Sequence, residues 1–125
     1  MIEKFTMDVF PRTLFVAIEE TDENLYKTFP DVDKKEIAMG EDTNAYALPV
    51  SDGENGGVLI RFASMSVITD GMVAHECFHA IMYFCNYLGM DVDTSSTNEH
   101  VAYMIEWAAD RVSETKRKYA LEQQL

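Results

Sequence analysis

Three histidines occur in this chain of 125 residues, and two of them, His75 and His79, stand four apart in the segment VAHECFHAIM. Glu76 directly follows the first. On a helix, residues i and i+4 share a face one turn apart. Both imidazoles can then point at one metal ion, with Zn–N distances of ~2.0–2.1 Å. Glu76 lies about 100° around the helix from His75, a position from which its carboxylate reaches a water on the ion rather than the ion itself. That is the hydrolytic chemistry of H-E-x-x-H: the metal acidifies the water and the glutamate takes its proton. Read without a metal, the same residues are two histidines satisfied by hydrogen bonds on an ordinary helix.

A mononuclear site needs a third ligand. Glu99 stands twenty residues after His79 in TNEHVAYMIEWAADRV, at the head of a second helical stretch. A return through the polar segment DVDTSSTN can carry it back toward the middle of the first helix. It would leave a fourth position for water, as catalytic sites do. Its plainer use is to complement the positive helix N-terminus. Glu106 and Asp110, seven and eleven residues further on, are competing ligands or acceptors for the histidine N–H groups. His100 points about 100° away from Glu99 and is the weaker ligand. It can instead contact substrate or cap its helix.

Together the two segments resemble the gluzincin pattern of zinc metallopeptidases. More narrowly, HECFHAIMYFCNYLGMDVD followed by NEHVAYMIEW is similar to small bacteriophage-encoded zinc-peptidase-like proteins, over roughly residues 70 to 110. The resemblance implies Zn2+ held by His75, His79 and Glu99, with Glu76 as base or acid. It implies a zincin-like core in which a small sheet packs on the motif helix, and a peptide or protein substrate lying extended along an edge strand. The segment VLIRFASM, just before the helix, is the expected edge. Large peptidases of this type add a His or Tyr from a second domain to stabilise the oxyanion. No histidine follows His100 here, which leaves Tyr103 as the best donor and Arg111 behind it. Tyr103 at helical spacing is equally a core residue.

The elements that must position these groups read as strands first and helices second, an α+β arrangement in a single domain spanning 1–125. TMDVFPRTLFVAIEE, interrupted by Pro11, predicts one or two strands. NLYKTF predicts a short helical turn, KKEIAMG is ambiguous, and AYALPVS–DGENGG–VLIRFASM predicts a hairpin. The sheet is expected to be small and antiparallel or mixed. Two long helices follow. The first is capped by Thr69 or Asp70 and ends at Gly89, with Ala74, Phe78, Ile81, Cys85 and Leu88 as its apolar stripe. The second is capped by Thr97 or Asn98 and presents Val101, Ile105, Ala108 and Val112 to the core.

Net charge is −12 and the isoelectric point about 4.4. A phosphate-binding nucleic-acid partner and an anionic membrane surface are both disfavoured by that balance. Much of the acid lies early, in EETDEN, DVDKKE and GED, a segment that can lie over the site. Cys77 and Cys85, eight apart on one helix, are separated by ~12 Å of rise, too far for a disulfide. They read as free core thiols, a pattern of reducing compartments. With no signal-peptide pattern and no apolar run of membrane-spanning length, the expected location is the cytoplasm, the host's if the chain is phage-encoded. A monomer or small homo-oligomer is expected. The competing reading is a zincin-like scaffold kept as an acidic binding or host-interaction protein, its metal structural or absent.

Overall fold

A computed structural model describes residues 1–8 and 10–125. Strands β1 (Ile2–Thr6) and β2 (Thr13–Ile18) form an antiparallel hairpin. Two short helices follow, α1 (Asp22–Thr28) and α2 (Lys34–Ile37), then a second hairpin of β3 (Ala45–Ser51) and β4 (Gly56–Phe62). The long helices α3 (Asp70–Leu88) and α4 (Glu99–Gln123) close the chain. The sheet order is β1-β2-β4-β3, with β2 and β4 parallel, so the sheet is mixed and the class is α+β.

Alternation along the strands sorts the core into two layers. Leu14, Val16, Ile18, Val58, Ile60 and Phe62 face α3 and α4. Phe15, Ala17 and Leu59 face the other way, where Leu25 and Phe29 of α1 and Ile37 of α2 cover them. Because β2 and β4 are buried on both faces, they read as continuous apolar runs, the mark of a parallel pair sandwiched between helices. The two short helices are thus a third layer rather than loose turns.

β4 therefore carries a correction. The edge expected at VLIRFASM is an interior strand, hydrogen-bonded to β2 on one side and β3 on the other. The free edge beside α3 is β3. Ala63 N–H donates to the Asn44 carbonyl at 2.8 Å and Asp52 N–H to the Asn55 carbonyl at 3.1 Å. Antiparallel alternation then turns Tyr46, Leu48 and Val50 toward β4 and leaves Ala45, Ala47, Pro49 and Ser51 facing outward. Pro49 thus forfeits no ladder bond, which is why a strand can hold it there.

Both long helices begin where the caps predict and α3 ends at Gly89, but α4 runs on to Gln123, past the expected end near Lys118. Thr69 Oγ1 accepts from the Met72 N–H at 3.2 Å, and Gly89 ends α3 with a left-handed φ of 69°. Asn98 starts α4 in a left-handed conformation, but its side chain serves the preceding turn, donating to the Asp93 carbonyl at 2.8 Å. The stripe of α3 is shifted from the expected one. Glu76, Cys77, Ala80, Ile81, Phe84 and Cys85 are buried, whereas Ala74 is exposed and Phe78 is 49% exposed. On α4, Val101, Ala108 and Val112 are buried as expected, joined by Met104 and Thr115.

Candidate metal centre

The second and third turns of α3 carry the site. His75 and His79 are exposed on one face, and Glu76 turns inward to 4% exposure. The two imidazole Nε2 atoms are 3.2 Å apart. Two ligands of a tetrahedral zinc, each ~2.0–2.1 Å from the ion, are separated by roughly 3.3 Å. The separation of the two nitrogens therefore matches that of two ligands on one ion. In the chain as it stands, one ring donates an N–H to the other.

Glu76 Oε1 lies 3.5 Å from His75 Nε2, while its Oε2 is buried with no hydrogen-bond partner. A buried carboxylate oxygen without a donor is costly. An ion and its water at the histidine pair would supply the missing positive charge and donor. Burial pushes the Glu76 carboxyl above its usual range, and His75 and His79 pull it partway back. A carboxylate raised in this way is closer to the pKa a general base needs near neutral pH. Among the described residues, His75, Glu76 and His79 are the one group of three or more His, Cys, Asp or Glu whose ligand atoms gather, all within 4.8 Å of one another. The residues present fit a metal ion.

A groove of about 620 Å³ opens beside this group, lined by Asp42, Thr43, Asn44 and Ala45 at the head of β3 and by Thr69, Gly71, Met72, His75 and Glu76. The free β3 edge thus runs directly into the site. This is the residue set that strand order, not sequence, brings together. The free edge of AYALPVS was legible only as half of a hairpin.

The other expected site residues stand apart. Glu99 is exposed in the first turn of α4, and its carboxylate is outside the histidine group, as are those of Glu106 and Asp110. His100 donates its Nε2–H to the Asp91 carbonyl at 2.9 Å, holding the return loop. Tyr103 is 67% exposed and lines a separate cavity of about 300 Å³ with Met7, Phe10, Met90, Met104 and Trp107. Arg111 pairs with Glu114 at 3.1 Å. Both cysteines are free and buried, as their spacing predicts. No helix is long and apolar enough to cross a membrane. No protein-family model, curated protein or solved structure matches the chain.

Proposed function

We propose that the chain is a zinc-dependent hydrolase acting on peptides, of zincin-like type. One observation carries the reading: two histidine Nε2 atoms 3.2 Å apart beside a buried glutamate oxygen with no partner. His75 and His79 hold the ion. Zinc, when bound, would supply a Lewis acid and lower the pKa of its water to about 7. Glu76, on the inner side of the pair, takes the proton and returns it to the leaving nitrogen. Ala45 and Ala47 turn their N–H and C=O groups outward, so an extended peptide can pair with them as a fifth strand. Pairing there places its backbone against the groove that holds His75 and Glu76.

By resemblance Glu99 would be the third ligand, although its carboxylate stands outside the histidine group in this fold. The separation of Glu99 and Tyr103 from the histidine group favours a second reading, an acidic binding protein whose metal is structural or absent. Elemental analysis and a peptide-cleavage assay separate the two. The parent should bind one zinc per chain and cleave. Glu76→Gln should keep the zinc and lose cleavage by at least about a hundredfold, within the range of a lost general base. Glu99→Gln should weaken zinc about 10- to 100-fold or more if its carboxylate ligates. Undiminished cleavage by Glu76→Gln removes the base role, and a chain that takes up no zinc leaves the binding-protein reading.

A further inference from the structure

A second cavity, of about 610 Å³, lies at the far end of the same β3 edge, between Pro49–Ser51 and the last turns of α3. Arg12 reaches into it from the start of β2. Its path crosses Gly56, where an added Cβ would come within 2.6 Å of the guanidinium. The guanidinium lies over the Tyr87 ring, 3.1 Å from its centroid. Among the described residues the Arg12 side chain makes no ion pair and donates no hydrogen bond, so its fork of N–H groups is unclaimed. Arg61 and Arg111, by contrast, are both paired to carboxylates. A guanidinium seated over a ring with free donors is suited to bidentate recognition of a planar anion.

We propose that Arg12 and Tyr87 form a carboxylate-binding subsite for a peptide lying along β3. The proposal rests on the reading of that edge as the peptide-binding side of the site. Strand geometry sets the scale: from Ala45, which lines the groove, to Ser51 is ~20 Å at ~3.3 Å per residue, so the carboxylate sits about six residues from the segment facing the histidines. One cation, with Asp31 lining the same cavity, matches one negative charge and disfavours a multiply charged phosphate. The carboxylate has two sources. A peptide antiparallel to β3 presents an acidic side chain, and a parallel one its C-terminus.

The test is binding to the zinc-free full-length chain, followed by backbone amide NMR, so that it reads out whether or not zinc binds or cleavage occurs. Three acetylated hexapeptides of one core sequence serve as probes: one with an internal glutamate and an amidated end, one with glutamine there and a free C-terminus, and one neutral throughout. At least one carboxylate probe should bind about tenfold more tightly than the neutral one and shift the Ala45 and Ala47 amides. Arg12→Gln should abolish that preference, and Asp31→Asn should strengthen it. Which probe wins names the source. Thermal unfolding of each variant at the parent's temperature shows that the fold is kept. Equal affinity of all three probes, no saturable binding, a preference that survives Arg12→Gln, or inorganic phosphate competing as well as the peptide would each overturn the proposal.

Discussion

Glu76 and Cys77 occupy neighbouring buried positions on α3; burial raises the pKa of both, but their charged neighbours act in opposite directions. Glu76 faces a histidine pair that offsets its desolvation in part. Cys77 has no such partner: burial, and then the negative charge of Glu76, push its thiol from 9.0 up to about 12. In the unfolded chain the thiol ionises near its ordinary value, while the native one keeps its proton. Between pH 9.0 and about 12 the native state therefore binds more protons, and stability falls as pH rises through that window. Urea titrations at stepped pH should show this decline, and Cys77→Ala should remove a large part of it. A decline of equal slope in the variant would assign it to other groups. The same burial makes both thiols slow to alkylate in the native state, since only the thiolate attacks.

At the scale of the element, the bounds of α3 and the β3–β4 hairpin are legible because their signals are local. Thr69 and Gly89 act through bonds within one turn, and the run DGENGG has few conformations other than a turn. What was not legible depends on partners distant in sequence. The stripe of α3 was misphased because apolar residues surround that helix, and the real buried face is broad, set by the sheet and α4 together. The histidine pair survived that error because i, i+4 geometry is intrinsic to a helix, whichever face is buried. β4 is interior and not the expected edge because β2 pairs with it in parallel, a pairing no local signal encodes. Gly57 is the residue that permits it: a Cβ there would sit 1.7 Å from the Thr13 carbonyl oxygen across the parallel pair. The clash is with backbone, which cannot rotate away. Gly57→Ala should cost at least about 3 kcal/mol, the upper end of overpacking penalties. Chemical denaturation measures it. A loss below about 1 kcal/mol would mean that the two strands part easily, and that β4 is less firmly interior than described.

The whole molecule separates its charge from its chemistry. Residues 19–42 hold nine acids against three lysines, half of the net −12. Their helices pack on the sheet face opposite α3 and α4, so this acidic layer does not cover the histidines. Only its last part, Asp42 to Asn44, reaches the groove. Arg61 anchors the layer. It is 4% exposed, pairs with Asp22 at 2.7 Å and donates to the carbonyls of Ile37 and Glu20 at 2.9 and 2.8 Å. Around that anchor the acids repel one another through solvent, and among the described residues the exposed ion pairs are few: Lys118 with Glu3 at 2.6 Å, Arg111 with Glu114 at 3.1 Å and Lys4 with Asp52 at 3.9 Å. Such pairs each contribute at most about 1 kcal/mol, and salt weakens them. Salt also weakens repulsion, with a Debye length of about 10 Å at 0.1 M. With twelve uncompensated negative charges, repulsion is the larger quantity. The unfolding temperature of the zinc-free chain should therefore rise as sodium chloride goes from millimolar to physiological concentration. A fall would show that these exposed ion pairs outweigh the repulsion among the acids.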